Sequence, residues 1–308
     1  MRMTSYIKRF RGKVIMAEKL NVLKARIKAV TSTHKITKTM DMIARSKTAK
    51  ILTVEQGMRP YTQKLNRIVE ELSHSDMDHL HPLLSPKKTI KNIILFVITS
   101  SRGLCGSYNT KILDEAMERI RHHYRHGRTV ELHVLGKKGE VYFEKQNIPI
   151  SRKYPRIDEE STFDDCATVV QRFMHDYATD SASRVEVIYT RYYTRVVHIP
   201  KIKSLIPMIP DEEDIEGRKI KKQLDYLIEP NREDVLKEIV PLAITTYFYF
   251  MITSSFLSEN AERAIAMRNA TDNAERLLED LKNKANRARQ EHITNELLDI
   301  IGGSEAIN

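Results

Sequence analysis

Residues equipped for chemistry are few in this chain, and they are poorly grouped. The run SRGLCG at 101–106 follows an apolar, β-rich stretch and precedes a helical one, the place where α/β folds put phosphate sites. It fits neither GxxxxGK[ST] nor GxGxxG, and GKKG at 136–139 fits less well, so tight turns are the expectation at both. Cys105 stands beside Arg102 near a helix start, a setting that lowers a thiol pKa. No His or Asp is paired with it in sequence, and a structural cysteine is expected. Histidines fall at 74, 79 and 81, near Asp76 and Asp78, and again at 122, 123 and 126. They are metal-ligating types without the spacing of a defined site, and a solvated surface is the expectation. No paired carboxylates and no nucleophile with its base stand out. The residues therefore predict an interaction protein with no catalytic, cofactor-binding or metal-binding residues.

The strongest signal is charge. The chain has 308 residues and a net charge of +10. Residues 1–60 hold fifteen Lys/Arg against three acids, Glu18, Asp41 and Glu55, while the remainder is close to neutral. Lys24, Arg26, Lys28, Lys35, Lys38, Arg45, Lys47 and Lys50 belong to this stretch, and such a helix seeks an acidic partner: nucleic acid, anionic lipid or a carboxylate-lined protein. Two cysteines, Cys105 and Cys166, are too few for a disulfide framework and point to a reducing compartment. The first seventeen residues carry five Lys/Arg and no acid. They read as an organelle targeting segment, a disordered basic tail or an upstream start before Met16.

The elements that would position these groups are two long helices around an α/β insert. Residues 17–59 read as one helix with Leu20, Leu23, Ile27, Val30, Ile36, Met40, Ile43, Ala44 and Ile51 inward, ended by Gly57 and Pro60, with a shorter helix at 61–72. Strands are expected at 92–99, 130–135, 185–193 and 196–206, with helices at 109–125, 137–145 and 162–178, giving a small, largely parallel α/β domain. Residues 207–222 read as a charged surface connection. The apolar stretch 242–257 is shorter than the ~20 residues that span a bilayer and reads as a buried helix. The last helix covers 232–301, with Pro241 starting or kinking a segment and Gly302–Gly303 capping its end. Its seam, Ala264, Met267, Thr271, Ala274, Leu278, Leu281, Ala285, Ala288 and His292, alternates steps of three and four, a coiled-coil pattern. The organisation is thus a basic segment at 1–16, a coiled-coil helix at 17–75, an α/β domain at 76–231 and a second coiled-coil helix at 232–308. A coil too long for the insert to cover implies a surrounding partner.

Three motifs in order resemble one family. KARIKAVTSTHKITKTMDMIARSK at 24–47, SRGLCGSYN at 101–109, and SENAERAIAMRNATDNAERLLEDL at 258–281 with NRARQEHITNELLDIIGGSEAI at 286–307 are similar to the gamma subunits of F-type ATP synthases. The resemblance implies a mixed α+β and α/β fold: an antiparallel coiled coil of the terminal helices with a small Rossmann-like domain inserted. It implies a non-catalytic central shaft coupling c-ring rotation to ATP synthesis or hydrolysis on the beta subunits. The partners would be the ring of alpha and beta subunits, the epsilon subunit (delta in mitochondria) and the membrane c-ring, with no nucleic acid and no cofactor. The location would be peripheral, on the cytoplasmic face of a bacterial inner membrane or the matrix side of the mitochondrial one; the short N-terminal extension favours the bacterial reading.

Motif by motif, the resemblance assigns contacts with the alpha/beta ring to Lys38, Met40, Arg263, Arg289, Gln290 and Thr294, and to the apolar tip Leu297, Leu298, Ile300 and Ile301. Ser101 stands where the family usually has Asp, Arg45 where it has a small residue, and Pro241 interrupts a usually continuous helix. Two other readings stay open: a basic coiled-coil protein that binds nucleic acid, and a nucleotide-binding enzyme built on the insert.

Overall fold

A computed structural model describes residues 2–73, 81–208, 229 and 231–305; side chains are described for 20–72, 81–208, 229, 231–295, 297 and 298. His74, His79 and most of the connection expected at 207–222 lie outside these residues. The chain divides into two compact units, Met1–Ile43 with Ala264–Asn308, and Ala44–Arg263. Helices α1 (Arg2–Ser73) and α5 (Arg232–Glu305) contribute to both.

The first unit is an antiparallel pair of helices. Thr271 Oγ1 donates to Thr37 Oγ1 at 2.8 Å, which fixes the register. Outward from this contact, buried and half-buried positions mirror one another: Leu20, Leu23, Ile27, Val30, His34, Thr37 and Asp41 on α1, and Ala288, Ala285, Leu281, Leu278, Ala274, Thr271 and Met267 on α5. All nine residues of the seam expected on α5 are buried or half-buried. The α1 expectation needs correction. Ile36 and Ile43 are 60% and 52% exposed, and His34, Thr37 and Asp41 take the inward places. Steps of three and four fix the phase of a heptad seam, and Ile36 and Ile43 fall one residue out of it.

The second unit carries a five-stranded sheet in the order β3-β2-β1-β4-β5, from β1 (Asn92–Ile98), β2 (Thr129–Leu135), β3 (Arg152–Lys153), β4 (Arg184–Tyr192) and β5 (His198–Ile206). All neighbours are parallel except β4 and β5. Helices α2 (Tyr108–Arg125) and α3 (Lys137–Lys145) cover one face, where Leu95, Val97 and Ile188 meet Ile112, Ala116, Ile120 and Phe143. On the other face, α4 (Phe163–Ala178), α5 and α1 bury Phe96 against Phe173 and Phe248, with ring centroids 5.9 and 5.2 Å away. Apolar strands covered on both sides explain why 92–98 reads as one continuous apolar run. The two-residue β3 has only Arg152 and Lys153 and gives no apolar signal.

Three expected breaks are absent. α1 runs through Gly57 and Pro60. Ile51, Glu55, Thr62, Leu65, Val69 and Leu72 hold that stretch against the unit, while Pro60 sits on the exposed side. The carbonyl that proline leaves without a donor belongs to exposed Gln56, so water satisfies it. α5 likewise continues through Pro241 and through Gly302–Gly303. At the other end, residues 2–16 continue α1 as helix. By length and composition part of α5 passes for a membrane-crossing helix, yet Ala243, Ile244, Phe248, Met251, Ile252 and Leu257 are buried in the core of this unit.

Candidate functional site

The crevice of an open α/β sheet lies at the carboxyl ends of its strands, where the strand order reverses. Here that point is between β1 and β4, and α5 fills it. Pairing of β4 with β1 stops at Ile188, which leaves the next backbone groups of β4 for other partners. Thr190 N donates to Ser255 Oγ at 3.0 Å and Tyr192 N to Ser254 Oγ at 2.9 Å, while Ser258 Oγ donates to the Thr190 carbonyl at 3.2 Å. The hydroxyls in the apolar stretch are therefore substitutes for a missing strand.

The loop at 101–106 closes over the same end. Ser100 N donates to Asn109 Oδ1 at 3.0 Å, Asn109 Nδ2 to Ser100 Oγ at 2.7 Å, and Ser100 Oγ to the Arg102 carbonyl at 2.7 Å. Exposed Ser101 is not the residue that holds the loop. Leu104 and Gly106 take left-handed φ of 63° and 58°. GKKG packs just as tightly: a Cβ on Gly136, itself at φ +98°, would lie 2.1 Å from the Thr99 carbonyl oxygen. SRGLCG is a tight loop, as expected, whereas GKKG corrects the expectation of a turn: Gly136 is the N-cap of α3 and 137–139 are its first turn; neither run frames an open phosphate cradle. Cys105 is buried, and burial raises its thiol pKa despite the Ser100 hydrogen bond; burial also pushes Cys166 up to about 12. Both behave as core residues. Among the described residues no group of three or more His, Cys, Asp or Glu is placed to hold a metal ion.

Arg263 is 8% exposed and is engaged within the chain. Its guanidinium reaches the Arg102 and Gly103 carbonyls at 3.5 Å each, Asn260 Oδ1 at 3.1 Å and the Glu259 carboxylate. Asn260 in turn donates to Glu159 Oε1 at 3.3 Å, and Lys47 Nζ pairs with Glu159 Oε2 at 2.6 Å. Burial pushes the Glu259 carboxyl up, against the pull of Arg263. The network ties α1, α5 and the 101–106 loop together. Sequence reasoning offered Arg263 to a partner; its buried setting was not visible in the motif.

The other contact residues expected from the resemblance lie in the first unit, at two stations. Lys38 is exposed and Met40 half-buried on α1. Arg289, Gln290, Thr294, Leu297 and Leu298 are all exposed on α5, the two leucines by 54% and 60%. By the register Lys38 lies opposite residue 270, about nineteen residues from Arg289, or roughly 28 Å. An open depression of about 500 Å³ is lined by Arg287, Gln290, Glu291, Thr294 and Asn295. The side chains of Ile300 and Ile301 lie outside the described residues. A feature missed in the sequence joins these stations: Val22, Ile36 and Ile43 are exposed apolar residues spaced by multiples of seven, with Met42 beside them. The signal was a second heptad column outside the seam, merged in error with the seam itself.

An α/β sheet whose ligand crevice is filled by its own helix, and a coil with a satisfied seam and further apolar side chains left in solvent, define a protein built for contacts with other chains. The ATP synthase family model matches residues 19–307. The chain is 33% identical over 298 residues to the ATP synthase gamma chain of Chloroherpeton thalassium, covering 94% of this chain and 98% of the relative. It is 34% identical over 292 residues to that of Chlorobium phaeobacteroides, with the same coverage. Among solved structures, the Euglena gracilis mitochondrial ATP synthase rotor matches with a TM-score of 0.61 at 18% identity over 90% of this chain and 99% of that one. A chain of the Tetrahymena thermophila mitochondrial ATP synthase central stalk and c-ring matches with a TM-score of 0.53 at 21% identity, over 76% of this chain and 99% of that one. These two likenesses concern the fold. The chain belongs to the ATP synthase family, among its gamma chains.

Proposed function

We propose that this chain is the central rotor shaft of an F-type ATP synthase, a non-catalytic subunit that couples ion-driven rotation of a membrane c-ring to ATP synthesis or hydrolysis on beta subunits. The observation that carries the reading is the coil. Its seam is filled by its own two helices, yet Val22, Ile36, Ile43, Ile293, Leu297 and Leu298 remain exposed, an arrangement suited to a surrounding sleeve. Apolar contacts hold no preferred angle, so an apolar tip turns in a sleeve without catching. The cations of α1 suit acidic loops on beta subunits, and exposed pairs of up to about 1 kcal/mol break easily on rotation.

In this reading Lys38 and Met40 form one station facing the alpha/beta ring, and Arg289, Gln290 and Thr294 a second. Leu297, Leu298, Ile300 and Ile301 form the tip bearing. Arg263 is a positioning residue that holds the 101–106 loop for its partner. The second unit serves as the foot for the epsilon subunit (delta in mitochondria) and the c-ring, which makes the chain a peripheral membrane protein. The bacterial relatives favour the cytoplasmic face of an inner membrane; the matrix side of the mitochondrial inner membrane is the alternative.

Reconstitution tests this. The chain is mixed with its cognate alpha and beta subunits, and assembly and ATPase activity are recorded. A complex of three alpha, three beta and one copy of this chain, with activity appearing on its addition, is the expected result. A chain that stays free and leaves activity unchanged refutes the assignment.

A further inference from the structure

The sheet of the second unit has two unlike ends. At the carboxyl ends of the strands lie the 101–106 loop and Arg263, the residue at which this unit ends on α5. At the amino ends, roughly 20 Å away along seven-residue strands, backbone register lines up cations. Arg128 precedes β2, Lys91 precedes β1 and Arg184 opens β4. Thr129 N donates to the Lys91 carbonyl at 2.8 Å and Lys91 N to Ser183 Oγ at 3.2 Å, so the three positions sit side by side across adjacent strands. The last turns of α2 add exposed Arg121 and Arg125, with the His122 and His126 rings tilted against each other, their centroids 4.4 Å apart.

The acids nearby do not balance them. Glu186 is buried beneath the edge and already shared by Arg119, Arg184 and His123, at 2.5, 3.6 and 2.9 Å. Asp180 pairs with Lys87. Glu118, exposed on α2, stands one turn before Arg121 and His122, and Glu115 acts on Arg119. Lys91, Arg121, Arg125 and Arg128 make no ion pair with any described residue. Tyr124 is 52% exposed in their midst.

We propose that this edge is a docking surface for anionic phospholipid headgroups. Several flexible cations spread over a shallow surface, with no enclosing pocket, match a diffuse layer of phosphates better than a single shaped ligand. An exposed tyrosine among them is the side chain that settles at a membrane–water boundary. The proposal rests on the shaft reading for one point: a subunit coupled to a membrane c-ring works beside a bilayer.

The test is vesicle co-sedimentation of the assembled complex with alpha and beta subunits, using phosphatidylcholine alone or with a third of phosphatidylglycerol. Binding to the anionic vesicles only, lost in 0.5 M salt, is the expected result. The variant Lys91→Gln/Arg121→Gln/Arg125→Gln should bind about a hundredfold more weakly, at roughly fivefold per charge, with unchanged helicity and assembly. Tyr124→Ala should weaken binding several-fold while keeping its salt dependence. Equal binding to neutral vesicles, no loss in the triple variant, or affinity for polyglutamate or RNA in place of vesicles overturns the proposal. If no complex forms, the shaft reading fails, and the same comparison on the free full-length chain decides the lipid surface by itself.

Discussion

The two units solve opposite problems with the same helices. In the unit at 44–263 the core and the strand edge are satisfied from within: apolar strands are covered on both faces, serines of α5 cap the free edge of β4, and Arg263 is spent on the chain's own carbonyls. In the coil unit the inward seam is narrow and partly polar, with Thr37 and Thr271 bonded at its centre, and large apolar side chains are left in water. One unit is held by a broad apolar core; the other is held by a narrow seam and leaves apolar side chains exposed. Substitutions should therefore damage stability most in the sheet unit and assembly most in the coil unit.

The sharpest division is expected at Glu186. Removing its carboxylate in Glu186→Ala leaves Arg119 and Arg184 uncompensated, at a cost of about 3–5 kcal/mol, read by denaturant unfolding. The same group sets an acid dependence. Burial alone would raise its pKa, but hydrogen bonds from His123 and Arg119 and the charge of Arg119 hold it at about 2. A lowered folded-state pKa means the unfolded chain takes up the proton first. Stability is then complete above about 4.5 and is lost as pH falls towards about 2, by about 3 kcal/mol in all. A Glu186→Gln variant should lack this slope in melts between pH 5 and 2.

Gly136→Ala forces a Cβ onto the Thr99 carbonyl at a left-handed φ and should cost about 2 kcal/mol or more. A smaller loss, about 1 kcal/mol, is expected for Thr271→Val in the coil, seen as a lower helix melting temperature. At the low end, Arg289→Ala with Gln290→Ala should change the stability of the isolated chain by less than about 0.5 kcal/mol while reducing turnover of the assembled enzyme. A loss of helicity there would erase the contrast between the units.

What could be read in advance followed the same division. The α5 seam was legible because its heptad is unbroken from Ala264 to His292. On α1 the seam includes His34, Thr37 and Asp41, polar residues that hydropathy passes over, while Ile36 and Ile43 were drawn into it by type. Pro60 looked like a helix end, and Pro241 like a segment start or a kink, because local propensity ignores tertiary support; buried neighbours on either side keep both helices continuous. The residues expected to face a ring of partner subunits came from motif likeness alone. That likeness could not register that Arg263 is buried, since burial depends on the 101–106 loop, more than 150 residues away in sequence.

The hydroxyls of α5 have a mechanical meaning. Ser254, Ser255 and Ser258 engage β4 much as a spline engages its hub. A smooth apolar contact resists separation but slides, whereas directional bonds on both sides of Thr190 oppose slip along the helix and rotation about it. Twist applied to α5 therefore reaches the sheet as a load shared among hydrogen bonds, with little lost motion between helix and strand.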